Sequence, residues 1–305
     1  MLSPQRVRQL IREEEIPLRA RSLPAETVAR IFDYGAPIGS RIECHDRLAR
    51  GMERARDLIR QTEEAGKSFA SGTAILACEL TAGRGRFQRV WHAPPGGVWL
   101  TLILVNTLLP AAFRLYPLAA GLASCETLRS YGLPARLKWV NDVQVNGRKI
   151  AGVLTETLVG VHSGEEYVLI GVGLNANNDS FPPELAETAV AMKTCLAAEV
   201  DIELLAGRLL AKLAWNIGLL HYAEQELLDA EALAIEAWPA HPLIAGWLSL
   251  SDMVGRRVAF GYDVQKNPLY EARVTALEPL TGGLILALAD GSTITEYSGE
   301  IVYLD

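Results

Sequence analysis

The chain has 305 residues, half of them hydrophobic and 21% charged. That composition excludes a disordered polyelectrolyte, supports at least one large buried core, and at roughly 150 residues per domain suggests two domains. Acids outnumber lysine plus arginine by 36 to 29, for a formal net charge of -7, which argues against nucleic acid held through the overall field.

Residues 1–40 read as short helical pieces broken by Pro4, Pro17, Pro24 and Pro37. They lack the length and the basic recognition helix of a DNA-reading helix-turn-helix, so no nucleic-acid partner is expected. Met1 to Arg12 has no apolar stretch of a signal peptide, and no run reaches the ~20 apolar residues of a membrane span. Met52 to Thr62 has helical spacing, with Ala55, Leu58 and Ile59 inward and Gly66 as a stop. Thr73 to Cys78 reads as a strand, Thr81 to Gly97 as a loop rich in Gly, Arg and Pro, and Val98 to Val105 as an apolar strand. Pro117 to Tyr131 is a helix ended by Gly132, and Arg136 to Val140 a strand. Val143 to Ile150 reads as a hairpin around Asn146-Gly147. Tyr167 to Leu174 is a further strand, and Asp201 to Tyr222 a long helix with Asp201 as its cap.

A break is expected at Trp238 to Gly246, around Pro239 and Pro242. After it come only short strands: 257–261, 270–278, 284–289 and 293–297. The architecture is therefore α+β, a mixed-sheet domain followed by a small β-barrel. The expected boundaries are an N-terminal helical extension over 1–40, a main domain over 41–245 and a β module over 246–305. The four cysteines, Cys44, Cys78, Cys125 and Cys195, lack zinc-site spacing and read as reduced, buried thiols of a cytoplasmic protein. Gly171-Val-Gly-Leu-Asn-Ala176 matches a dinucleotide pattern, but no helix is expected after it, so no Rossmann site is assigned.

Three segments carry candidate chemistry. The first is Gly83-Arg84-Gly85-Arg86, with Arg89 and Trp91 behind it. Its glycines let backbone approach a ligand, and its arginines offer planar forks suited to carboxylate or phosphate. The second is Lys138-Trp-Val-Asn-Asp142, running through the hairpin to Lys149-Ile-Ala-Gly152. With a two-residue turn, Val145 faces Arg148, Gln144 faces Lys149 and Val143 faces Ile150. Asp142 then lies diagonal to Lys149 on a polar face, at ~7 Å. The third is Gly171-Val-Gly-Leu-Asn175 at a strand end. Each alone also reads blandly, as a solvated basic loop, a surface ion pair and close strand packing.

Together, and in this order, the three resemble the biotin protein ligase family, whose pattern runs G-R-G-R-x-x-R-x-W, K-W-x-N-D, x-x-G-x-K-x-A-G-x-L-x-E and G-x-G-x-N. The matching stretches are Gly83 to Trp91, Lys138 to Asp142, Gly147 to Glu156 and Gly171 to Asn175, and Tyr297-Ser-Gly-Glu300 resembles the end of the family's SH3-like domain. The resemblance covers roughly residues 41–305. It implies a class II synthetase-like catalytic domain with a C-terminal SH3-like barrel. It also implies a two-step reaction: biotin and ATP, with Mg2+, give biotinyl-adenylate, which acylates a lysine of a biotin carboxyl carrier domain. That carrier is the expected partner, with a second copy of the chain as another candidate.

The same resemblance implies site roles. Lys149, Arg84, Arg86 and Asp142 are catalytic; Gly83, Gly85, Arg89, Trp91, Asn141 and Asn175 bind ATP or the adenylate. Leu80, Gly152, Leu154 and Gly171 bind the acid, with Trp99 and Leu100 as further wall residues, and no resident metal site is expected. Four positions depart from the family pattern: Leu80 in place of Gln, Arg50-Gly-Met52 near the family's Ser-Thr-Asn, Phe87-Gln88 in place of Arg-Gly, and Val140 in place of Pro. Groups aimed at carboxylate and phosphate are kept, while those aimed at the biotin ring are not. Three readings therefore stay open: a biotin ligase with other ring contacts, a ligase for a related acid such as lipoate, and a non-catalytic ligand-binding paralogue.

Overall fold

The computed structural model describes residues 2–110, 112–178, 181–229 and 241–305. The chain starts with α1 (Pro4–Leu10), a π-helical turn (Ile11–Glu15) and α2 (Ile16–Arg19), which follow one another without a break. Pro17, expected to interrupt the helix, sits at the start of α2 just after the π turn, where a missing N–H is tolerated. After α3 (Ala25–Gly35) come edge strand β1 (Ile42–Leu48), α4 (Gly51–Glu64), β2 (Thr73–Leu80), β3 (Val98–Val105) and α5 (Tyr116–Ser130). Next are β4 (Arg136–Lys138), β5 (Asp142–Val145), β6 (Arg148–Val159), β7 (Glu166–Leu174), α6 (Met192–Leu196) and α7 (Ile202–Asp229).

The seven strands form one mixed sheet in the order β1-β2-β3-β7-β6-β5-β4, with β1–β2 parallel and the other pairs antiparallel. Side chains alternate across it. Val98, Leu100, Leu102 and Leu104 of β3, with Val168, Ile170, Val172 and Leu174 of β7, enter the main core with residues of α5 and α7. On the other face, Ile103 and Leu169 pack with Met52, Ala55, Leu58 and Ile59 of α4. Asp201 caps α7 by accepting from Leu204 N at 3.0 Å, as its sequence position suggests.

The N-terminal helices are clamped to α5 and α7 by buried charge. Lys212 Nζ lies 2.5 Å from Glu15 Oε1, Arg19 makes two bonds to Glu126 (2.7 and 2.8 Å), and Arg208 makes two to Glu14. Burial opposes ionisation of Glu126, but Arg19, Lys212 and Asn216 hold its carboxyl below the usual range.

Three expectations are corrected. The strand predicted over 136–140 ends at Lys138, because the chain turns at Trp139 and Val140 to start β5. Pro242 does not sit in a break: it opens α8 (Pro242–Ser249), with His241 Nδ1 accepting from Leu243 N at 3.1 Å, while residues 238–240 lie outside the described set. Cys44 on edge strand β1 and Cys78 on β2 are exposed rather than buried, and Cys195 is half-buried.

The C-terminal strands are β8 (Arg257–Gly261), β9 (Tyr270–Leu277), β10 (Leu284–Ala287), β11 (Thr293–Glu296) and β12 (Glu300–Tyr303). They form an antiparallel sheet in the order β11-β10-β9-β8-β12, as expected of an SH3-like module. It rests directly on the larger sheet: Leu137 N donates to Leu250 O (2.8 Å) and Trp139 Nε1 to Gly282 O (3.2 Å). No helix among the described residues is long and apolar enough to cross a membrane.

Candidate active site

The site is built on the α4-facing side of the large sheet, where register puts Gly152, Gly171 and Gly173 together. Gly173 pairs with Trp99 on one side and Gly152 on the other, and Gly152 pairs with Asp142. The missing side chains leave a trough that Trp91 enters. A Cβ on Gly173 would stand 2.5 Å from the Trp91 indole, and one on Gly152 3.2 Å from it and 2.9 Å from Lys149 Cε. The Trp91 ring meets Trp99 edge-on at 6.4 Å. Its Nε1 is buried and has no hydrogen-bond partner among the described residues.

The hairpin supplies the charged end. Val145 pairs with Arg148 and Gln144 with Lys149, as the Asn146-Gly147 turn predicts, but a bulge then sets Val143 against Ala151 instead of Ile150. The extra residue increases local twist and brings Lys149 to Asp142. The two form an ion pair with Nζ–Oδ1 2.6 Å, and the amine stands 5.2 Å over the Trp91 ring. The Lys149 backbone is tied on the outer side by Lys149 N to Thr188 O (2.7 Å) and Val190 N to Lys149 O (2.9 Å).

The arginine loop is a closed turn, held by Trp91 N to Gly83 O (3.0 Å) and Gly85 N to Arg89 O (2.8 Å). Phe87 and Gln88 at its tip have positive φ (54° and 60°). Arg86 reaches the hairpin, donating to Asn141 Oδ1 at 3.3 Å, and Asn141 Nδ2 donates to Val153 O at 2.8 Å. The structure thus gathers Arg86, Asn141, Asp142, Lys149, Trp91 and Gly152. Burial pushes the pKa of Arg86 down against the pull of Glu300 and Asp142, and burial also lowers that of Lys138 beside Asp142 and Lys149. Arg86, Lys138 and Lys149 thus lie close to Asp142 and Glu300.

Other expected site residues go elsewhere. Arg84 turns back to Gln88 O (2.9 Å) within its own loop. Asn175 is 3% exposed and accepts from Asn178 Nδ2 at 3.1 Å, which makes it a brace for the loop after β7. Leu100 is corrected as a wall residue, because it points into the main core with Leu102 and Leu104. Leu154 instead packs on the α4 side, level with Gly171. Leu80 closes β2 and bridges Ala93 at the base of the loop.

Sequence reasoning missed the second holder of the loop. Arg86 also donates to Gly299 O (2.9 Å) and Ser298 Oγ (3.2 Å), while Arg89 pairs with Glu300 and with Asp263 (3.4 Å). Tyr262 meets Phe87 edge-on at 6.0 Å. The C-terminal module therefore grips the loop, through a segment, 297–300, that the sequence marks only as a fold signature.

Residues 58–175 match the Biotin/lipoate A/B protein ligase family. The matched stretch contains the arginine loop, the hairpin and Gly152, Gly171 and Gly173. Among curated proteins, the chain is 33% identical over 154 residues to the Bifunctional ligase/repressor BirA of Bacillus spizizenii, covering 48% of this chain and 47% of the relative. It is 34% identical over 152 residues to the Biotin--[acetyl-CoA-carboxylase] ligase of Mycobacterium tuberculosis, covering 48% and 54% respectively. The matches span about half the length of these relatives. Among solved structures, the biotin protein ligase of Aquifex aeolicus in complex with biotin and ATP superposes with a TM-score of 0.63 at 20% identity, covering 86% of this chain and 98% of that one. The large-sheet domain and the C-terminal module thus share the fold of that structure.

Proposed function

We propose that this chain is a biotin protein ligase, which activates biotin with MgATP and transfers it to a lysine of a biotin carboxyl carrier domain in the cytoplasm. The observation that carries this reading is the convergence of Lys149, Asp142, Arg86 and Asn141 at one end of an apolar trough floored by glycines. Both reactants of the first step are anions, and fixed cations at the trough end offset their repulsion. A carboxylate oxygen of biotin attacks the α-phosphorus, the bond to the bridging oxygen breaks, and pyrophosphate leaves. Lys149 lies where it can bridge carboxylate and α-phosphate and stabilise the charge that builds up between them. Arg86 and Asn141 face the phosphates. Magnesium enters as part of the nucleotide substrate.

In the second step the carrier lysine amine attacks the acyl carbon, AMP leaves with its bonding electrons, and Asp142 takes the proton from the amine. Trp91 and Trp99 wall the trough and keep water from the mixed anhydride. Curated relatives that are biotin ligases and the SH3-like module both favour biotin over lipoate. Incubation with biotin, MgATP and an unmodified carrier domain tests the proposal. A mass gain of one biotinyl group on the carrier lysine supports it; an unmodified carrier refutes it.

A further inference from the structure

The trough does not end at Asp142. Cross-strand partners share one face of a sheet, and the register runs Trp99, Gly173, Gly152, Asp142, Lys138 from β3 across to β4. The row passes from an indole wall over bare backbone to an ion pair. It stops at Lys138, one strand spacing, about 4.8 Å, beyond Asp142. Two carboxylates lie near the Lys138 amine, and both already serve other cations: Asp142 pairs with Lys149 (2.6 Å) and Glu300 with Arg89 (2.5 Å). An ammonium so placed can take an incoming anion.

The C-terminal module supplies a ring beside this amine. Lys138 Nζ stands 5.8 Å from the centroid of the Tyr303 ring, within reach of a cation–π attraction. The ring is fixed independently of Lys138. Tyr303 pairs with Val258 in the β12–β8 ladder, and the Arg256 guanidinium lies 3.7 Å from the ring centroid, itself tied to Asp305 at 3.2 Å. The Tyr303 hydroxyl is buried and has no hydrogen-bond partner among the described residues, so it does not set the place of the ring. What this side chain offers Lys138 is its face.

Phosphoryl transfer puts the attacking and leaving oxygens roughly in line across the phosphorus. With the acid lying along the glycines and its carboxylate at Lys149, the leaving group departs on the side away from the glycines. That side is the Lys138 end of the row. We propose that Lys138 receives the leaving pyrophosphate, and that Tyr303 is the positioning residue that holds Lys138 there. The proposal rests on the biotin-ligase reading. The ammonium keeps its proton throughout. It offsets the negative charge that the bridging oxygen gains as its bond to the α-phosphorus breaks.

The test is biotin-dependent ATP–pyrophosphate exchange on the full chain, with pyrophosphate varied at saturating biotin and MgATP. Lys138→Met is expected to lower kcat/KM for pyrophosphate about 10- to 100-fold, and Tyr303→Leu about three- to tenfold. Tyr303→Ile is read in parallel, because a β-branched side chain suits strand β12. Tyr303→Phe, which keeps the ring, is expected to stay within about twofold of the parent, and the KM for biotin to stay within about twofold in every variant. In the Lys138→Met background, Tyr303→Leu is expected to add less than about twofold, because the amine it positions is gone. A loss below about threefold in Lys138→Met, or below about twofold in both Tyr303→Leu and Tyr303→Ile, overturns the proposal while the ligase reading stands. So does a loss in Tyr303→Phe as large as in Tyr303→Leu, an equal rise in the biotin KM, or the full Tyr303→Leu loss in the Lys138→Met background. A parent chain without biotin-dependent exchange overturns both.

Discussion

Removing the Lys149 amine by Lys149→Ala separates catalysis from stability. The ion pair with Asp142 is short, at 2.6 Å, but both side chains are partly exposed, at 32% and 22%. Such a pair contributes about 0–1 kcal/mol to folding. The backbone bonds to Thr188 and Val190 do not depend on the side chain, so the hairpin stays in place. In catalysis the amine stabilises charge that develops only as the phosphorus is attacked, where one preorganised donor is worth about 2.7–4 kcal/mol, or a factor of roughly 100–1,000 in rate. The expected result is a loss of that size in biotin-dependent ATP–pyrophosphate exchange, with unfolding free energy from urea titration lower by no more than about 1 kcal/mol. A rate loss below about tenfold would refute the role given to Lys149. A stability loss above about 3 kcal/mol would instead mark the pair as structural.

Gly173→Ala is expected to push Trp91 out of the trough, because the new Cβ would stand 2.5 Å from its indole; titration with biotin should show an affinity loss of about tenfold or more. Lys212→Met should leave the buried Glu15 carboxylate with Arg19 (3.1 Å) as its remaining cation and cost about 1–3 kcal/mol in urea unfolding, whereas Lys212→Met with Glu15→Leu should cost less; equal costs for single and double variants would contradict the clamp. His241 is buried, and burial pushes its pKa down to about 4. Its folded pKa lies below the unfolded value of about 6.5, so its neutral form adds stability above pH 6.5 that is lost progressively as pH falls to 4. Between pH 7 and 4 the parent should lose about 3 kcal/mol more than His241→Asn, and parallel stability curves would refute this.

Local chemistry made much of the fold legible. Asn146-Gly147 allows a two-residue turn, Asp201 caps α7, and a nearly continuous apolar run marks β3, so these elements follow from residues a few positions apart. The pairing of Asp142 with Lys149 followed from the same turn, but the bulge at Ile150 did not, because both Ile150 and Ala151 are apolar and bury equally well. The expected role of Leu100 failed for a related reason. A strand of continuous apolar residues does not say which face meets a ligand; that is decided by the helices lying on each side. Arg89 meets Glu300 across 211 residues, and Thr101 meets Gly51 only through the stacking of α4 on the sheet. Such contacts depend on tertiary placement, and no local pattern reports them.

The central claim is that the cation cluster beside the glycine trough joins biotin to the α-phosphate of ATP. Exchange of labelled pyrophosphate into ATP, measured on the purified chain with and without biotin, tests it most directly. The account predicts exchange that requires biotin and is not supported by lipoate or octanoate. Exchange driven by those acids, or none with any acid, would contradict it.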